Sequence, residues 1–165
     1  MAFNGVKFSL ENTMSCKIII ALLLLGCISY AQQISLQQMR IQHASMNRHF
    51  YGSTGKFDGS SRANGTTTNY YGPNGKYEGR VVTNGNTALI YDANGKYAGQ
   101  AKTNGNVTRY YNANGSSAGR CESLGNTTRF YDAKGRYSGR SEKNDKTSTT
   151  RFYNADGSSA GRSSK

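Results

Sequence analysis

A large apolar or aromatic residue followed by tyrosine recurs at Phe50-Tyr51, Tyr70-Tyr71, Ile90-Tyr91, Tyr110-Tyr111, Phe130-Tyr131 and Phe152-Tyr153. The step is twenty residues until the last, which is twenty-two and takes in Lys143 to Lys146. Four residues after each tyrosine stands a glycine (Gly55, Gly75, Gly95, Gly115, Gly135, Gly157), and four further on another (Gly59, Gly79, Gly99, Gly119, Gly139, Gly161). Six copies of one short unit constrain the chain to a repeat architecture in which each unit buries its surface against its neighbours.

Each unit predicts one β-hairpin. In Tyr91-Asp-Ala-Asn-Gly-Lys-Tyr97 the turn chemistry is explicit, with Asp92 at the start and Gly95 able to take positive φ. Lys102-Thr-Asn-Gly-Asn106 supplies a second turn ten residues later, leaving strands of ordinary length between them. With 20 glycines, 12 tyrosines, a single proline and no tryptophan, the composition is one of turns and pleated surface. The expected fold is all-β: about twelve strands from six hairpins over residues 50–165, forming a coiled meander or solenoid-like array.

Because side chains alternate faces along a strand, the repeat restricts register. Three-residue loops at both ends would pair Tyr91 with Tyr97 and set Arg129 across from Gly139. Loops of four and two would pair Phe130 with Tyr137. A mixture of three and two would exchange the faces at every repeat. Either allowed register puts aromatics on both faces, with Tyr51, Tyr71, Tyr91, Tyr111, Tyr131 and Tyr153 as the structural column and the second glycine leaving room for a neighbouring ring or arginine stem.

Upstream, Lys17 precedes the apolar run Ile18 to Leu25, too short to cross a bilayer but suited to a signal peptide over residues 1–31, with Met14 as an alternative start. Two processing sites compete. Ser29-Tyr30-Ala31 suits cleavage before Gln32, whereas Leu24-Leu25-Gly26-Cys27 is similar to a lipobox that would lipidate Cys27 and anchor the protein to a membrane. Residues 32–49 form a linker with some helical tendency, since Ser35-Leu-Gln-Gln38 fits a capping box and Leu36, Met39, His43 and Met46 share a helical spacing. Cys121 is the one cysteine in the repeats. Ser61, Val81, Ala101, Ser141 and Ser163 occupy its column, which makes it a small residue filling a small space.

Phe130-Tyr-Asp-Ala-Lys-Gly-Arg136 and Ile90-Tyr-Asp-Ala-Asn-Gly-Lys96 resemble the core of YD repeats from bacterial Rhs-type proteins, in which hairpins coil into large shells. Six repeats are too few for such a shell. The rhythm is also similar to choline-binding repeats of cell-wall proteins, but the tryptophans of their choline cage are absent. The resemblance implies a short exported hairpin-repeat protein of the bacterial envelope.

No motif for hydrolysis, nucleotide binding or metal coordination occurs, so a non-catalytic protein without cofactor or metal is expected. Asp92 and Asp132 stand where a side chain caps a turn. Charge is more informative. The formal net charge is +12, and Arg80, Arg120, Arg140 and Arg162 follow the second glycine while Arg109, Arg129 and Arg151 precede the aromatic pair. Lys56, Lys76, Lys96 and Arg136 add a line beside the first turn. Repetition turns these columns into stripes, and Arg80, Arg109, Arg120, Arg129 and Arg140 are the candidate binding residues, with part of the pattern assigned to arginine stacking on tyrosine.

The expected function is that of a secreted, periplasmic or cell-envelope module binding an anionic polymer or cell-wall glycan. A structural or adhesin-like spacer is the first alternative. Nucleic-acid binding is the second, and export makes it the weakest of the three.

Overall fold

The computed structural model describes residues 47–165, so the signal segment, Met14, Cys27 and residues 32–46 of the linker lie outside the described residues. Twelve antiparallel strands follow one another: β1 (Arg48–Tyr51), β2 (Phe57–Asn64), β3 (Thr67–Tyr71), β4 (Tyr77–Asn84), β5 (Thr87–Asp92), β6 (Tyr97–Asn104), β7 (Val107–Asn112), β8 (Ser117–Leu124), β9 (Thr127–Tyr131), β10 (Tyr137–Asn144), β11 (Thr149–Asn154) and β12 (Ser159–Ser164). Each pairs with its neighbours in sequence, and β12 pairs back with β1. The described residues are all-β, and they close into a barrel.

Closure corrects the expectation of a solenoid-like array. At the seam Arg162 pairs with Tyr51, Ser163 with Phe50 and Ser164 with His49. Between internal repeats Arg120 pairs with Tyr131, Cys121 with Phe130 and Glu122 with Arg129. The last repeat therefore meets the first in the register that joins any two successive repeats, and both sheet edges are consumed.

The register is one the parity argument did not foresee. At one end of the barrel Asp92 N–H donates to the Lys96 carbonyl and Gly95 N–H to the Asp92 carbonyl, enclosing a three-residue loop in which Gly95 has φ +79°. Tyr91 does pair with Tyr97, but Ile90 then pairs with Gly99, and Ala98 is left over as a β-bulge. At the other end Asn104 pairs with Val107 across a two-residue loop whose Gly105 has φ +58°. Three and two is the mixture excluded above; the bulge adds the residue that restores parity. Arg129 consequently faces Arg140 instead of Gly139, and Phe130 faces Gly139.

The second glycine of each repeat serves this bulge. A Cβ on Gly99 would run into the carbonyl oxygen of Tyr111 on the next strand, and Gly139 stands in the same relation to Tyr153. Both have strongly positive φ, +151° and +143°. The space left by the missing side chain is thus filled by backbone, not by a ring or an arginine stem.

Inside the barrel lie the first members of the pairs, Phe50, Tyr70, Ile90, Tyr110, Phe130 and Phe152, together with the small column Ser61, Val81, Ala101, Cys121, Ser141 and Ser163. Large and small alternate across strands: Tyr70 faces Ser61, Ile90 faces Val81 and Phe130 faces Cys121. Cys121 is fully buried and its Sγ is 3.2 Å from the Tyr110 hydroxyl. β1 brings in one oversized member, Arg48, where other repeats have Thr or Ala. It is buried, and its Nη1 donates to the Ser148 carbonyl at 2.7 Å, in the loop that carries the two extra residues of the sixth repeat.

Candidate functional site: an arginine and tyrosine outer wall

Side-chain alternation that sends Phe130 inward sends Arg129 and Tyr131 outward. The half-buried tyrosines of the structural column accordingly line the outside. Four of them meet the ring that follows the turn, as Tyr71 meets Tyr77, Tyr91 meets Tyr97, Tyr131 meets Tyr137 and Tyr51 meets Phe57, edge to face at about 6 Å. Over the tyrosines lie arginines from the preceding strand: Arg80 over Tyr91 at 4.7 Å, Arg120 over Tyr131 at 4.3 Å, Arg140 over Tyr153 at 4.5 Å and Arg162 over Tyr51 at 4.6 Å. In the first hairpin Ser60 holds the arginine position, and Arg62, two residues on and on the same face, covers Tyr71 at 5.4 Å. Gln100 is the gap in the column, opposite Tyr111.

The wall is not uniform around its circumference. Arg109 faces Arg120, Arg129 faces Arg140, and Arg151 faces Arg162 directly across strands. The equivalent pairs in the other half are His49 with Ser60, Asn69 with Arg80, and Leu89 with Gln100. All three arginine pairs therefore sit on six consecutive strands, β7 to β12. Of the residues singled out from sequence, Arg109, Arg120, Arg129 and Arg140 come together there. Arg80 does not, since β4 lies in the other half, and Lys56, Lys76 and Lys96 lie in the loops at one end.

Within the basic half the arginines differ in commitment. Arg120 Nε bonds Glu122 Oε1 at 3.1 Å and Arg140 Nε bonds Glu142 Oε1 at 2.8 Å, while both guanidinium groups stack on tyrosine. The bond to Glu142 holds Arg140 above the ordinary guanidinium range, with a further contribution from the Tyr137 hydroxyl. Arg109, Arg129 and Arg151 are exposed, and among the described residues none has a carboxylate within ion-pair distance. Glu122 and Glu142 were not singled out from sequence. Their signal was their place two residues after an arginine, which on a strand means the same face.

The turn aspartates do what their position implies. Asp132 Oδ1 accepts from the Lys134 and Arg136 amides, both at 2.9 Å, and Oδ2 accepts from Arg136 Nε at 2.7 Å. Burial opposes ionisation of Asp132, but these bonds outweigh it and hold the carboxyl below the usual range. Asp92 Oδ1 makes the matching bonds to the Asn94 and Lys96 amides. Among the described residues no group of His, Cys, Asp and Glu is arranged to hold a metal ion.

Fold and wall together define a twelve-stranded antiparallel barrel whose interior mixes large aromatic and aliphatic side chains with small polar ones, and whose exterior is cationic and tyrosine-rich. No family model matches the sequence, and no curated protein does. Among solved structures, a crystal structure of a S. aureus TarM mutant in complex with Fondaparinux, alpha-GlcNAc-glycerol and UDP aligns at 14% identity and a TM-score of 0.25. The alignment covers 76% of this chain and 25% of that chain. A likeness so slight carries no functional argument.

Proposed function

We propose that this chain is an exported, non-catalytic surface or envelope module that binds an acidic polymer through the arginine-rich half of its outer wall. The carrying observation is the set of three directly opposed arginine pairs, Arg109 with Arg120, Arg129 with Arg140 and Arg151 with Arg162. Like charges directly opposite on a sheet destabilise it, and a bound polyanion relieves that repulsion. Concentration of all three pairs on one half supports a binding face over a generally solubilising charge. The apolar run after Lys17 supports export.

Charged residues at mid-strand, Arg129, Arg140 and Glu142 among them, make this exterior unlike the apolar band that outer-membrane barrels turn to lipid. Closure also weighs against assembly by strand addition, because β1 and β12 are paired with each other and offer no edge to a second chain.

The test is a salt-titrated binding measurement of the purified protein against an anionic polysaccharide. Arg129→Gln combined with Arg151→Gln should weaken binding roughly tenfold and flatten its salt dependence, the effect of losing two exposed charge contacts of ordinary strength. Lys143→Gln combined with Lys146→Gln, in the β10–β11 loop, should change little. Equal losses from both pairs would mean diffuse attraction, and no loss from either would remove the reading.

A further inference from the structure

The basic half is interrupted on a regular period, and the interruption carries information about the ligand. Glu122 pairs directly opposite Arg129, and Glu142 opposite Arg151, so a carboxylate stands between each arginine pair and the next. Moving around the wall, the order is Arg109 and Arg120, then Glu122, then Arg129 and Arg140, then Glu142, then Arg151 and Arg162. Each carboxylate is partly exposed, with 32% and 45% of the side chain accessible.

Successive pairs are two strands apart and offset by two residues along the strand, because the row from Arg109 through Arg120 reaches Tyr131, two residues beyond Arg129. With strands about 4.8 Å apart and a rise of about 3.4 Å per residue, equivalent arginines repeat roughly every 12 Å. A polymer with a negative charge on every unit would put anions against Glu122 and Glu142. One with charge on every second sugar would meet the arginine pairs and leave neutral, hydroxyl-bearing units over the carboxylates, which accept hydrogen bonds from hydroxyls.

We infer that the preferred ligand is a linear acidic glycan carrying one carboxylate per disaccharide, lying around the barrel across β7 to β12, with Glu122 and Glu142 excluding more densely charged chains. This rests on the reading above and sharpens it from anionic polymers in general to a charge spacing.

The experiment compares length-matched oligosaccharides of hyaluronan, with one carboxylate per disaccharide, and polygalacturonate, with one per monosaccharide, at fixed ionic strength with the purified protein. Hyaluronan oligomers should bind more tightly despite half the charge. Glu122→Gln with Glu142→Gln should strengthen polygalacturonate binding roughly fivefold, the effect of removing two surface like-charge contacts, while hyaluronan changes less than twofold. Tighter binding of polygalacturonate to the unaltered protein would overturn the spacing inference and leave the polyanion reading standing, a comparison that needs no variant. Failure to bind either polymer would overturn both.

Discussion

Arg162 lies over Tyr51 at 4.6 Å although they come from the last and first strands, and the relation matches Arg120 over Tyr131 at 4.3 Å between adjacent repeats. The seam is thus as well made on the outside as any internal junction. On the inside, Phe50 is buried against Ser163 as Phe130 is against Cys121.

Phe50→Ala and Phe130→Ala should therefore destabilise the protein by similar amounts, about 3–5 kcal/mol each, in urea unfolding monitored by circular dichroism. In an open array the first repeat would be the cheap one to damage. A loss at Phe50 below about 1 kcal/mol would show that the seam opens in solution.

Gly99→Ala and Gly105→Ala separate two uses of positive φ. Gly105 sits in a tight turn with open space around it, so the added methyl costs only the backbone preference, about 1–2 kcal/mol. Gly99 faces the Tyr111 carbonyl, and there the methyl adds a clash with a fixed strand, for a total of about 3 kcal/mol or more. Equal costs would remove the close-approach explanation of the second glycine column.

The two glycine columns show what local sequence reveals in this chain. Turns are legible because Asp92, Asn94 and Gly95 act on residues two to four away. The bulge is not, since its extra residue is acidic in two repeats, Asp58 and Glu78, and small in four, Ala98, Ala118, Ser138 and Ala160, and none of these types marks a bulge by itself. Closure depends on strand tilt and stagger around the whole ring, which no single repeat specifies. The arginine columns were legible as columns. That Arg129 faces Arg140 required the bulge, and the interposed glutamates required the face.

Asp132 should contribute a pH-dependent share of stability. Its folded-state carboxyl is held below the ordinary range, so the contribution is fully present above the unfolded value of about 3.9 and is lost as pH falls through the folded value. Asp132→Asn retains an acceptor for the turn amides but loses the charge facing Arg136. It should cost about 1–2 kcal/mol at neutral pH, and the gap to the unaltered protein should close in acid. A gap that stays constant from neutral to strongly acidic pH would mean that charge plays no part.

The gap in the arginine column offers a gain. Gln100→Arg places a guanidinium opposite Tyr111, but Lys102, on the same face two residues on, would repel it. Combined with Lys102→Glu, the change rebuilds the arrangement of Arg120, Glu122 and Tyr131. The pair should raise stability by about 1 kcal/mol, read as a shift in the urea midpoint. No shift would indicate that the outer stacks decorate the wall without holding it.

The in-register seam also limits how such a chain can change in length. An open stack can add or drop a unit at its end and leave the other interfaces as they were. Here a seventh hairpin would widen the ring and open the centre that Phe50, Phe152 and the other inward residues now occupy, and a ring of only five would crowd it. Copy number is fixed by geometry, so variation is steered into the loops. The two extra residues of the β10–β11 loop, whose Ser148 carbonyl takes up the buried Arg48, are an instance of growth that the ring accommodates.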